Sequence, residues 1–176
     1  MSRLAAVVLA AGEASRFGTP KQLVLLPEVL ARLAAAPVDE IVVVEGAYPV
    51  SPCAPETRGR VVRCDEWARG PGASLRCGLA ALDAHVEAAI VVLADGPDLA
   101  PEAVARVIDA WRAGGGDVVA ASYGGARGHP LLVARPRWGD VPDEGLRVRD
   151  AVLVPCDDLG APGDVDRPGD LPERLR

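Results

Sequence analysis

Aromatic residues are scarce in this chain: three Trp, two Tyr and one Phe among 176 residues. The apolar mass is Ala, Val and Leu, so the core must be filled by aliphatic packing between strands and helices. The four cysteines, Cys53, Cys64, Cys77 and Cys156, contain no C-x-x-C pair, which argues against a zinc ribbon. Scattered thiols of this kind are expected to be small buried or half-buried groups in a reducing compartment. No apolar run reaches transmembrane length, and the first ten residues lack the charged region and cleavage site of a signal peptide. The expected location is cytoplasmic. Positive charge is also short, with 19 Lys and Arg against 25 Asp and Glu and a net charge of −6. That balance argues against non-specific binding to nucleic acid or to an anionic membrane. Neither a Walker A loop nor a G-x-G-x-x-G fingerprint is present, and there is no internal repeat or low-complexity segment.

What the chain does have is an alternation of short apolar runs with helical patterns, the mark of an α/β fold with a mostly parallel sheet. Strands are expected at residues 4–10, 41–44, 61–63, 89–93, 118–122, 131–134 and 151–154. The clearest helix is 101–113: Pro101 suits a first helical position, Val104, Val107, Ile108 and Trp111 share a face, and Gly114 ends it. Two further helices are expected at 74–84 and at about 28–35. The length suits one domain over residues 1–176.

The stretch LAAGEASRFGTPKQL, residues 9–23, follows the first strand. Small residues there let the backbone approach a ligand, and Arg16 and Lys21 add two cations, as a polyphosphate would require. Ligands in open α/β sheets bind beyond the carboxyl ends of the strands. Asp95 follows the apolar run 89–93, so it falls on the same edge as this loop. Magnesium prefers oxygen ligands, often one or two carboxylates with phosphate oxygens and water, and Asp95 suits such a role. By position alone Asp95 serves equally well as the start of a turn with Gly96 and Pro97.

These residues resemble the nucleotidyltransferase signature L-A-A-G-x-x-x-R-[FM]-G-x-x-K. The chain is similar to the MobA-like NTP transferase family, and most similar within it to the molybdenum cofactor cytidylyltransferases. Further segments match in order: GASLRCGL at 72–79, ADGP at 94–97, G-H-P at 128–130, DEGLR at 143–147 and DVDRPGDL at 164–171. The resemblance implies a three-layer α/β/α fold with a Rossmann-like sheet. It also implies Mg²⁺-dependent transfer of a nucleotide, CMP from CTP, to a phosphorylated small molecule, most simply molybdopterin, with release of pyrophosphate.

The implied roles are as follows. Arg16 and Lys21 hold the β- and γ-phosphates and, with Asp95, carry catalysis. Leu9, Ala10, Ala11 and Gly12 supply backbone contacts to the nucleotide, and Ser74, Leu75 and Gly78 line the base pocket. Asp95 and Asp166 ligate the metal, and Gly128, His129 and Pro130 shape the acceptor side. Partners are a nucleoside triphosphate, a phosphorylated acceptor and a molybdoenzyme or its chaperone. LAAG, in place of LAGG, goes with cytosine over guanine. The chain departs from the family after Lys21, where G-x-P-L-L is missing and the helix is expected to be short, and at Gly96 and Pro142. Two alternatives remain: another acceptor, such as a sugar phosphate or a phospholactate-like compound, or a nucleotide-binding maturation partner without catalysis.

Overall fold

The structure is a computed structural model that describes residues 1–13, 20–50 and 59–176. Among these residues seven strands form one sheet: β1 (Arg3–Ala10), β2 (Glu40–Glu45), β3 (Gly59–Arg63), β4 (Val86–Leu93), β5 (Val118–Tyr123), β6 (Ala126–Ala134) and β7 (Val152–Pro155). Their order is β3-β2-β1-β4-β6-β5-β7. Every pairing is parallel except those of β6, which runs antiparallel to both β4 and β5. Three α-helices are described: α1 (Lys21–Ala34), α2 (Pro71–Ala80) and α3 (Pro101–Arg112).

The near-continuous apolar runs of β1 and β4 are buried on both faces, as a parallel sheet between helices requires. Leu4, Ala6 and Val8 pack with Leu26, Leu30 and Leu33 of α1 and with Val104, Val107 and Ile108 of α3. Ala5 and Val7, one residue out of phase, pack with Leu75 and Leu79 of α2 on the opposite face. The result is the three-layer α/β/α arrangement expected from the sequence.

Two helices start earlier than expected. The helix expected from about residue 28 starts at Lys21, and Pro27 lies inside it, although an interior proline costs about 3 kcal/mol. The structure carries the helix through it and buries Leu25, Leu26, Val29, Leu30 and Leu33, and the helix is 14 residues long rather than short. This puts Lys21 in the first turn of α1. Helix α2 starts at Pro71, three residues before Ser74, which therefore lies within the first turn and does not cap the helix.

The thiols also depart from expectation. Cys64, just after β3, and Cys77, on α2, form a disulfide with Cα atoms 5.7 Å apart. Spacing along the chain cannot show this pair, because a strand end and a helix bring it together. Cys156 is a buried free thiol, and Cys53 lies outside the described residues. Among the described residues no helix is long and apolar enough to cross a membrane.

Candidate active site

Strands β1 and β4 are neighbours and parallel, with Leu9 paired to Leu93. The chain leaving each strand therefore emerges at the same sheet edge, and Ala94 N–H donates to the Leu9 carbonyl at 3.1 Å. Asp95 follows at once. The C-terminal segment returns to this point, where Val165 N–H donates to the Asp95 carbonyl at 3.2 Å. Asp164 and Asp166, on either side of Val165, are thus delivered beside Asp95. Val165 itself is buried against Leu25 of α1, with Leu171 and Leu175 packed around it, so a small apolar cluster anchors the segment.

Lys21 sits at the centre. Its Nζ lies 2.9 Å from Asp95 Oδ2 and 3.3 Å from Asp166 Oδ1, and it donates to the Val165 carbonyl at 2.8 Å. The side chain is 11% exposed, so the ion pair to Asp95 is shielded from water more than a surface pair is. Burial lowers the Lys21 pKa, but the two carboxylates outweigh it and the net shift is upward. Asp164 is held above its ordinary pKa, first by desolvation and then by the charges of Asp95 and Asp166.

Two cavities flank this centre, and Leu93 borders both. The first, about 350 Å³, is lined by Leu9, Ala10, Ala11, Gly12, Lys21 and Asp95, and on its far wall by Gly70, Pro71 and Ser74. Its size lies in the range of small-ligand sites. The far wall is the start of α2, the positive end of the helix dipole. Leu75 and Gly78 do not line this cavity. Leu75 is buried in the core, and a Cβ on Gly78 would lie 2.4 Å from Val7 Cγ1, so Gly78 lets α2 pack closely on β1. Arg16 lies outside the described residues.

Three other residues shape the first cavity. Gln22 is buried, lines the cavity and donates from Nε2 to the Gly12 carbonyl at 2.8 Å, tying α1 to the loop after β1. Sequence reasoning passed over it, and its one signal is its place directly after Lys21 in the motif stretch. Trp67 forms part of the cavity wall and lies so close to Gly46 that a Cβ there would meet it at 2.6 Å. Asp143 is the third. Its carboxylate meets Arg76 at 2.5 Å and Arg69 at 3.1 Å, and its carbonyl accepts from Gly72 N–H at 2.8 Å. The Arg76 and Arg69 guanidinium groups hold the Asp143 pKa below the usual carboxylate value. The residue of the DEGLR segment is thus a clamp on the start of α2.

The second cavity, about 440 Å³, is lined by Leu99, Tyr123, Arg127, Gly128, His129, Pro162 and Asp164 among others, and its walls are mostly apolar. Gly128 and His129 reach it from the start of β6, while Pro130 is buried behind them. Tyr123 Oη donates to the His129 carbonyl at 2.9 Å, and burial pushes the Tyr123 pKa up to about 12. Burial, helped by Arg127 and opposed by Asp95, pushes His129 down to about 4. The imidazole is therefore neutral at pH 7 and offers one donor and one acceptor.

That shift predicts a pH dependence. The folded value of about 4 lies below the unfolded value of about 6.5, so between them the unfolded chain binds more protons. The stability tied to a neutral His129 is complete above the unfolded value and is lost as pH falls towards the folded one. Urea unfolding of the wild type between pH 7 and pH 4.5 should therefore show a midpoint that falls more steeply than that of His129→Gln. Parallel curves would mean that His129 titrates normally in the folded protein.

No curated protein matches the chain by sequence. Solved structures do. Rv0371c from Mycobacterium tuberculosis H37Rv is 26% identical, with a TM-score of 0.77 over 96% of this chain and 95% of that one. A structure of Rv0371c in complex with manganese gives 24% identity and a TM-score of 0.66, covering 88% and 89% of the two chains. The 4-diphosphocytidyl-2C-methyl-D-erythritol synthase of Anaerococcus prevotii DSM 20548 shares the fold at 14% identity, with a TM-score of 0.72 over 96% of this chain and 92% of that one. The MobA-like NTP transferase domain model matches residues 6–147, a span that contains the loop after β1, Lys21, Asp95 and the Asp143 clamp, and the chain belongs to that family.

Proposed function

We propose that this protein is a Mg²⁺-dependent nucleotidyltransferase that moves CMP from CTP onto a phosphorylated small molecule, with molybdopterin the first acceptor to test. The observation that carries this reading is the meeting of Lys21, Asp95 and Asp166 between two cavities, one against the loop after β1 and one against the start of β6. Family membership and the manganese complex of Rv0371c support a divalent metal.

The donor set fits such a metal. Asp95 and Asp166 present hard carboxylate oxygens, and the Lys21 ammonium already holds a cation's place between them. When bound, the ion would neutralise phosphate charge and brace the leaving pyrophosphate. The remaining work falls to the chain itself. The triphosphate lies in the first cavity, with residues 9–12 and the start of α2 around it, and Lys21 and Arg16 take the β- and γ-phosphates. The acceptor enters the second cavity, where Gly128 and His129 orient it. An acceptor phosphate oxygen attacks the α-phosphorus, the bond to the α–β bridging oxygen breaks, and pyrophosphate leaves. No protein nucleophile takes part, so rate comes from positioning and charge neutralisation.

One observation favours a second acceptor class. Arg127 lines the second cavity and would pair with the carboxylate of a compact phosphorylated hydroxy acid, a group that a sugar phosphate lacks. The test is pyrophosphate release with each of the four nucleoside triphosphates, Mg²⁺, and molybdopterin, a sugar 1-phosphate or phospholactate in turn. CTP-selective release with molybdopterin supports the first reading and release with phospholactate the second. Nucleotide binding without turnover for any acceptor in this panel contradicts both readings and favours a non-catalytic maturation partner, of a molybdoenzyme or its chaperone.

A further inference from the structure

The position of Lys21 conflicts with the task given to it. Lys21 borders the first cavity, where a cation that serves the β- and γ-phosphates belongs, yet its ammonium is already engaged by Asp95, Asp166 and the Val165 carbonyl. It also stands in the first turn of α1, the helix end at which the dipole disfavours a positive charge. The two carboxylates outweigh that penalty. Lys21 is therefore held by its acidic partners, not by its helix, and an anion placed at the start of α1 would draw it away.

The acidic partners need a cation there. Asp95, Asp164 and Asp166 bring three carboxylates together, and among the described residues Lys21 contacts two of them. Among the described residues no group of three or more metal-ligating side chains is arranged to hold an ion. Asp95 and Asp166 can supply two oxygens to a magnesium-like ion, and the rest of its shell must come from water and phosphate. Metal and ammonium thus compete for one place, and a triphosphate favours the metal twice: it completes the metal's shell and gives the ammonium somewhere to go.

We propose that Lys21 is the resident cation of the nucleotide-free site, holding Asp95 and Asp166 in place and yielding to the divalent metal when a nucleoside triphosphate arrives. This rests on the nucleotidyltransferase reading of the cleft. Metal binding and nucleotide binding are then positively coupled, and the coupling runs through Lys21. Without nucleotide the metal is therefore held weakly.

The test is Mn²⁺ affinity, read by electron paramagnetic resonance of the free ion, with and without the α,β-methylene analogue of CTP, after subtracting the Mn²⁺ that the analogue binds in the absence of protein. In the wild type the analogue should tighten Mn²⁺ binding about tenfold or more. Lys21→Met keeps the length and loses the charge. It should bind Mn²⁺ about tenfold more tightly than the wild type without nucleotide, and the analogue should add little. Lys21→Gln, a second neutral variant, should behave alike if Lys21→Met folds poorly, and Lys21→Arg should restore weak binding without nucleotide. Equal or weaker Mn²⁺ binding in the neutral variants, with Asp95→Asn still abolishing it, overturns the proposal and leaves the nucleotidyltransferase reading standing. Mn²⁺ and nucleotide binding that ignore Asp95→Asn overturn both.

Discussion

Asp95→Ala should abolish pyrophosphate release while leaving the protein folded. Asp95 lies in the turn that directly follows β4, and its backbone carbonyl also fixes the returning segment through Val165. Removing the side chain leaves that backbone bond intact, and Lys21 keeps Asp166 and the Val165 carbonyl as partners. The change also relieves crowding among three carboxylates. Stability should therefore move little. Metal-assisted charge stabilisation contributes several kcal/mol to such a reaction, so the rate should fall on the order of 10³-fold or more. Steady-state kinetics beside a thermal melt separate the two effects. A variant with a normal melt and near-normal turnover would remove Asp95 from the chemistry.

Gly72→Ala should have the largest effect on the scaffold. A Cβ at position 72 would lie 1.7 Å from the Pro142 carbonyl oxygen and 2.9 Å from that of Asp143. Both obstacles are backbone, so no rotamer change relieves them. Either α2 or the 142–145 turn must shift, and the Gly72 N–H bond to Asp143 goes with it. Loss of that contact loosens the Arg69–Asp143–Arg76 clamp at the wall of the first cavity. Overpacking of this kind should cost about 3 kcal/mol, visible as a lower urea midpoint, and should raise the KM for CTP more than it lowers kcat. Gly139→Ala is the control: its Cβ would meet nothing within 4 Å and its φ is not positive. It should stay within about 0.5 kcal/mol of the wild type. A Gly72→Ala protein as stable as the control would mean that the 142–145 turn gives way freely.

Much of this was legible in the chain because the period of the apolar residues reports burial directly. The runs of β1 and β4 could be placed to within a few residues, and Asp95 and the loop after β1 could be assigned to one sheet edge. Three features were hidden, each for a physical reason. The start of α1 was masked by Pro27, which local rules place in a first turn but which tertiary burial of five neighbouring apolar residues keeps in the interior. The first residues of β6, ARGH, carry no strand pattern, because that end of the strand lines a cavity and turns back on Tyr123. The roles of Asp143 and Gln22 come from contacts made across the fold: Asp143 reaches back 67 residues to Arg76, and Gln22 reaches a loop carbonyl from inside a helix. The Cys64–Cys77 pair belongs with these, since only the packing of α2 beside the end of β3 brings the two together.

The most direct test of metal-dependent nucleotidyl transfer is phosphorus NMR of CTP, Mg²⁺ and molybdopterin incubated with the protein. The expected result is loss of the triphosphate signals, with one pyrophosphate formed for each new phosphorus–oxygen–phosphorus linkage between CMP and the acceptor, and no change when Mg²⁺ is withheld. Orthophosphate in place of pyrophosphate, or the same spectrum with and without metal, would contradict it.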